Sequence, residues 1–334
     1  MQRAMSLRRW ALVMTVLAAA NLAVLLAGIM IGEFPVPMWE ALKSVVGLGD
    51  PAYRFVIHEL RVPRALVAFM VGAGLALSGA ILQGLTRNPL AAPGVIGING
   101  GAAALAVTAI VAIPTFPVAA LPFAAFVGAL AAALLSYALA WRRGSSPMRM
   151  LLVGVGIAAS ANAYITFWVT TRDINSVKQA MVWLMGSTYG RTWDHVWPLL
   201  PWLAILVPAA LIMARRLDVL KLGDELAIGL GSAVERTRAL LLLICVCLAG
   251  ASVAMAGTIG FIGLMGPHIA RQLVGSSSLR LLSASALCGS LIVMAADLLG
   301  RALWPPLEIP AGIITSALGA PYLIYLLYRN RRPG

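Results

Sequence analysis

The chain has 334 residues, 61% of them hydrophobic and only 11% charged, with a mean hydropathy of +0.91. A soluble domain carries about 25% charged residues, so a soluble enzyme or soluble binding module is excluded. The formal net charge of +13 comes from basic residues scattered over short segments, which suits a surface of anionic lipid and not nucleic acid.

Uncharged runs cover 10–32, 65–86, 88–141, 150–171, 196–214, 239–270 and 309–328. A helix of about 20 apolar residues crosses the hydrocarbon layer. Backbone polar groups in lipid must be satisfied internally, which leaves helices or closed barrels. The runs are continuous and do not alternate with period two, so helices are expected.

In chain order, the first run follows Arg8 and Arg9 and continues to Gly32. That exceeds the roughly 7–15 apolar residues of a signal peptide, so it is read as an uncleaved span, 10–32. The second span is 65–85. Pro114, Pro117 and Pro122 divide the long third run into spans 95–113 and 119–141. Spans 149–170 and 196–213 follow. Gly257, Gly260, Gly263, Gly266 and Pro267 interrupt the next run, which is read as a full span, 239–256, and a short one, 260–274. Spans 281–299 and 310–328 complete an all-α integral membrane protein of ten helices in one domain, 1–334. Cys245, Cys247 and Cys288 fall in apolar runs and are read as small packed residues.

Ten spans put both termini on one side. The other side then holds only Lys43, Arg54, Arg61, Arg64, Arg172, Lys178, Arg191 and Arg301 of the 25 basic residues. The side of the termini holds the rest, among them Arg3, Arg143, Arg331 and Arg332, and the positive-inside bias makes that side cytoplasmic.

Several chemistries find no support. Lys43, Lys178 and Lys221 are the only lysines, and none follows a phosphate-cradling glycine loop. His58, His195 and His268 are far apart and lack metal-ligand spacing. There is no Gly-x-Ser-x-Gly elbow, no row of arginines within a span, and no chain of carboxylates of the proton-relay kind.

Glycine and proline instead cluster at 86–94 and 257–271, where they permit close backbone approach and broken helices beside a cavity. These residues carry a resemblance. The segments are Arg61-Val-Pro-Arg64, Ser78-Gly79-x3-Gln83, Arg87-Asn-Pro-Leu-Ala91, Gly97 with Gly101 and Ala102, and Trp183-Leu-Met-Gly-Ser187. They continue with Leu222-Gly-Asp-Glu-Leu-Ala227 and Leu230-Gly231, residues 257–271, Ala296-Asp-Leu-Leu-Gly-Arg301, and Glu308-Ile-Pro-x-Gly312 with Thr315 and Pro321. Together, in this order, they resemble the FecCD-type permease family, the membrane subunits of bacterial ABC importers for ferric siderophores, haem or vitamin B12.

The resemblance implies the type II importer permease fold, with ten helices per subunit, in the bacterial inner membrane. It implies a second permease subunit, identical or related, around a shared pathway, two ATPase subunits below, and an extracytoplasmic substrate-binding protein above. ATP and Mg would be bound by the ATPase partners, leaving this chain no cofactor, metal or catalytic role of its own. The stretch Trp183-Leu-Met-Gly-Ser187 with Gly190-Arg-Thr-Trp193 resembles siderophore members, so an Fe(III)-siderophore is the expected cargo, with vitamin B12 or haem as the alternative.

Three sites follow. Leu222, Gly223, Asp224, Glu225, Leu226, Ala227, Leu230 and Gly231 have helix-like Leu/Ala spacing, with acids where a first turn favours them. The family uses this segment to engage its ATPase. Arg61, Arg64 and Arg301 lie at external helix ends and would face carboxylates of the binding protein, although Asp297 and Arg301 also have i,i+4 spacing for local pairing. The pathway is expected between the fifth and tenth helices, with a gate around Ser145, Ser146, Pro147 and Met148. Asn162, Tyr164, Thr166 and Trp168 either line a cavity or bond between helices. Trp183, Trp193 and Trp197 suggest an interfacial outer segment, and His268 reads as a packed histidine. An ion-coupled secondary transporter would need carboxylates within spans, where only Asp297 and Glu308 come near. A membrane enzyme would need a catalytic cluster, and none is visible.

Overall fold

A computed structural model describes residues 6–329 apart from 33, 35, 46, 47, 114, 143, 145 and 305. Of the residues singled out above, Arg3, Pro114, Arg143, Ser145, Arg331 and Arg332 therefore lie outside the described residues.

The first helix, α1 (Leu7–Met30), starts where the Ser6 hydroxyl accepts from the Arg9 N–H, a cap that satisfies one orphan donor of the first turn. Two short helices follow, α2 (Met38–Val45) and α3 (Pro51–Phe55), and a π-helical turn, Val56–Arg61, leads into α4 (Val62–Thr86). The α4 helix ends at Arg87, which takes a left-handed conformation with φ of 52°. Pro89 follows Asn88 and disfavours helical geometry there. A 3-10 turn, Pro93–Ile96, then reaches Gly97, whose φ of 88° suits glycine alone among common residues. The chain is thereby redirected into α5 (Ile98–Val107), which closes in a π turn, Thr108–Ala112.

Next come α6 (Leu121–Ala140), α7 (Pro147–Thr171), α8 (Ile174–Met185) and α9 (Trp193–Ile212). Asp173 caps α8 by accepting from the N–H groups of Asn175 and Ser176. Thr192 and His195 form a reciprocal capping box at the start of α9. The last helices are α10 (Ala214–Lys221), α11 (Asp224–Gly229), α12 (Val234–Ala256), α13 (Ile262–Val274), α14 (Ser278–Ala302) and α15 (Ala311–Arg329). No strand occurs among the described residues.

Among the described residues, seven helices are long and apolar enough to cross a membrane: Leu7–Met30, Tyr53–Thr86, Val118–Ala140, Pro147–Thr171, Trp193–Ile212, Val234–Ala256 and Ser278–Ala302. Each coincides with an expected span. Two further expected spans coincide with the shorter apolar helices Ile98–Ala112 and Ala311–Leu326, and the last with α13, which has 13 residues. The expected second span began at residue 65, but its helix starts well before that. Arg61 and Arg64 looked like an end in composition; their charges are satisfied inside the fold, so the helix runs through them.

The α4 helix is the axis of the bundle, with α12, α13, α14 and α9 packed around it. Small residues set its approach distances. A Cβ on Gly72 would overlap the Gly289 carbonyl, and one on Gly79 would overlap the Gly263 carbonyl. Without a hydrophobic driving force between helices in lipid, such close packing and interhelical hydrogen bonds hold a bundle together. The Ser290 hydroxyl donates to the Phe69 carbonyl at 2.9 Å, joining α14 to α4. The Asn21 amide donates to Leu287 O at 3.0 Å, joining α1 to α14. A second layer is built by α5, α6 and α7, with the Ser136 hydroxyl donating to Ile96 O at 2.7 Å.

Candidate functional site

Three regions carry chemistry beyond packing. The first is a groove of about 850 Å³ between α5, α7, the 258–260 segment and α15. Its polar groups are Asn99, Asn162, Thr258 and Ser316. Glycines 94, 100, 260 and 312 keep its walls low. Beside it, Phe261 holds a φ of 66° at the start of α13, a conformation costly for a bulky side chain. Its ring fills the space that a Cβ on Gly319 of α15 would take.

Of the four residues singled out on α7, only Asn162 lines this groove. Tyr164 instead bonds through its hydroxyl to Thr108 at 2.8 Å, a link between α7 and the end of α5. Thr166 donates back to Asn162 O within its own helix. Trp168 packs edge-on to Tyr164 and Phe167 and lies under the Arg172 guanidinium. Ser146 and Pro147 form the start of α7, with exposed Met148 beside them, and none of the three lines the groove. His268 packs edge-to-face on Tyr322.

The second region is the segment 214–231. Gly223 has φ of 110°, which separates α10 from α11 in a geometry other residues rarely adopt. Ala227 is fully buried against the bundle, while Leu222, Leu226, Ile228 and Leu230 are exposed. Glu225 is exposed as well. The Arg238 Nη2 donates to both oxygens of Asp224 at 2.8 Å. Asp218 fixes the neighbouring element: it accepts from the N–H and hydroxyl of Ser278, at the start of α14. The result is a short, anchored helix that presents an apolar face with no partner among the described residues.

The third region is at the opposite ends of α4 and α14. Arg61 is only 5% exposed and donates to the carbonyls of Ile29, Met30 and Phe34. Arg64 lies 2.8 Å from Asp297 and 2.9 Å from Glu308. Arg301 pairs with Asp297 at 3.2 Å and donates to Gly28 O and Ile31 O. Thr188 donates to the same Asp297. All three arginines thus have internal partners, as buried charges require. They still border a cavity of about 310 Å³ with Tyr189, Arg191 and Glu308. Burial pushes the Arg191 guanidinium down from its ordinary value.

The pairings of Arg64 with Asp297 and Glu308 were not legible in sequence, because the partners are 233 and 244 positions away. The one available signal was Asp297 itself, a carboxylate in an apolar run that needs a cation. The outer segment holds a largely exposed helix, α8, whose Trp183 is buried. Trp193 and Trp197 stack at 5.7 Å, and the Trp193 indole donates to His58 O at 2.8 Å.

Known proteins align with this arrangement over almost its full length. The Fe(3+)-citrate import system permease protein YfmE of Bacillus subtilis is 43% identical, over 96% of this chain and 96% of its own. The Iron(3+)-hydroxamate import system permease protein FhuG of the same organism is 41% identical, over 95% and 97%. Among solved structures, an inward-facing conformation of a metal-chelate type ABC transporter superposes with a TM-score of 0.85 at 29% identity, over 95% of this chain and 98% of that one. The FecCD transport family matches residues 19–329, and the chain belongs to that family.

Proposed function

We propose that the chain is the permease subunit of an ATP-driven importer that carries an Fe(III)-siderophore complex across the bacterial inner membrane. The observation that carries this reading is the near end-to-end similarity to permeases named for iron-citrate and iron-hydroxamate import. In this reading the domain 1–334 crosses the membrane ten times, and α13 and the helices at Ile98–Ala112 and Ala311–Leu326 count as spans. Both termini are cytoplasmic. A second permease, identical or homologous, covers the exposed faces of α7 and α15, so that the groove of one subunit faces that of the other. The chain holds no cofactor, and ATP and Mg belong to two separate ATPase subunits.

Three roles follow. The exposed Leu222, Leu226, Ile228 and Leu230 insert into an apolar groove of the ATPase, with Gly223, Asp224, Glu225, Ala227 and Gly231 shaping the helix. Asn162 lies along the pathway, and the residues Ser145, Ser146, Pro147 and Met148 form the cytoplasmic gate. Arg61, Arg64 and Arg301 hold the outer docking surface from beneath, and a carboxylate of the binding protein reaches them through the cavity beside Tyr189.

The test is uptake of a panel of labelled Fe(III) chelates, haem and vitamin B12 by cells with and without this chain. Loss of siderophore uptake alone supports the reading. Loss of haem or vitamin B12 uptake instead would reassign the cargo, and unchanged uptake of every compound would remove the import role.

A further inference from the structure

Among the described residues, Arg238 is the largest fully buried side chain, at 2% exposure. It sits in the first turns of α12, where a charged residue usually faces solvent. Its Nη2 holds both oxygens of Asp224, the first residue of α11. Its Nη1 donates to Glu235 at 3.1 Å. Glu235 in turn stands beside Gly144, on the segment leading into α7: a Cβ at Gly144 would meet its Oε1 at 3.4 Å. Arg87, at the end of α4, also approaches Asp224, at 3.9 Å.

The same residue lines a narrow cleft of about 10 Å³ with Leu82 and Leu85 of α4, and with Pro147 and Met150 of α7. That cleft has room for about one water molecule, so displacement of Arg238 has little free volume to absorb it. The two charge-assisted hydrogen bonds to Asp224 are of the strong kind, and Glu235 holds the other side of the same guanidinium. Displacement of Asp224 therefore pulls on Arg238 and, through it, on Glu235.

We propose that Arg238 is the positioning residue that transmits motion of α11 to the cytoplasmic start of α7. This rests on the ATPase-coupling role proposed for α11 and adds to it the element that receives the movement. When the ATPase displaces α11, Asp224 carries Arg238 with it. Arg238 then pulls Glu235 through their hydrogen bond, and Glu235 shifts the segment at Gly144 that leads into α7. Coupling thus runs through the linked side chains of Asp224, Arg238 and Glu235, and the exposed apolar face of α11 grips the ATPase.

The experiment uses the full importer in lipid nanodiscs, with single cysteines at Gly229 of α11, where an added side chain meets nothing within 4 Å, and at exposed Arg142 on the segment leading into α7, each carrying a spin label. The three native cysteines are buried, which favours labelling of the introduced ones. In the parent complex, ATP binding is expected to change the distance between the labels. In Arg238→Gln, the ATPase remains bound and a Leu226→Cys cross-link to it still forms. The label distance no longer responds to ATP, and transport per ATP hydrolysed falls about tenfold, equivalent to about 1.4 kcal/mol. Asp224→Asn, which alters a half-exposed group and threatens folding less, gives the same loss. Combining the two gives no further loss, as expected for one shared interaction.

A label response and a transport yield in both single variants equal to those of the parent would overturn the proposal. Additive losses in the double variant would also overturn it, because the two residues would then act separately. Failure of the Leu226→Cys cross-link in the parent complex would instead remove the coupling role of α11, and this inference with it.

Discussion

Arg64 and Asp297 meet 2.8 Å apart although 233 positions separate them in the chain, and their contact ties α4 to α14. Asp297, 4% exposed, also serves Arg301 and Thr188. Removing its charge leaves Arg301 with carbonyl partners and Arg64 with Glu308 and the Tyr189 ring. Breaking one partner out of a buried pair typically costs about 3–5 kcal/mol. Asp297→Ala is therefore expected to unfold at a markedly lower temperature in detergent or to fail to accumulate. Asp297→Asn keeps the hydrogen bonds of Thr188 and should lose less. Thermal melts of the two variants check the order.

Gly79 and Gly156 make opposite predictions from the same substitution. A methyl at Gly79 runs into the backbone of Gly263, whereas nothing lies within 4 Å of one at Gly156. Overpacking costs about 1–3 kcal/mol or more, while alanine within a helix gains about 0.5–1 kcal/mol over glycine. Gly79→Ala should lower the melting temperature and Gly156→Ala should hold or raise it. Equal melts would argue that α4 and α13 can separate without loss.

The cap of α8 is sensitive to pH. The Ser176 and Asn175 donors hold the Asp173 carboxyl below its ordinary value. A carboxyl lowered on folding stabilises the folded form above its unfolded value, about 3.9, and loses that contribution as pH falls through the folded value. Hydrogen-exchange protection of α8 should therefore drop in acid. Asp173→Asn, which caps without a titrating group, should flatten the dependence. Identical profiles for the two proteins would place the acid response elsewhere.

The exposed face of α11 gives the next test. Burying one leucine contributes about 1.5–3 kcal/mol, so Leu226→Asp should weaken co-purification of the ATPase by about tenfold or more. Gly223→Pro is incompatible with the φ of 110° there and should uncouple uptake from ATP hydrolysis. Reversing the exposed Glu225 to Lys should do the same if the ATPase groove reads its charge. Normal uptake in all three would remove the segment from the coupling role.

The long helices were legible because an uncharged run of membrane length can satisfy its backbone only as a helix. The breaks in the two longest runs were legible from Pro117 and Pro122 and from the glycines at 257–266. The short elements were not. The α2 and α10 helices are brief and polar enough to read as loops, and the continuous helix Tyr53–Thr86 that contains α4 runs through the arginines that looked like its boundary. Among site residues, local spacing picked out α11 and the Asp297–Arg301 pair. Asn162 could be placed on a helix but not on a face, because the run around it is apolar all round and has no stripe to orient it. Arg238 was one basic residue among many on its side of the membrane. Its role depends on burial against α4 and α7, which no spacing along the sequence encodes.

The central claim is that this chain is a conduit powered by others, and reconstitution tests it most directly. Proteoliposomes would contain the permease with its ATPase, or the permease alone, with binding protein and labelled Fe(III)-siderophore outside. The account predicts accumulation only when the ATPase and ATP are present, and accumulation that survives collapse of the proton gradient. Concentration of the cargo by the permease alone, or uptake that stops with the gradient while ATP remains, would contradict it.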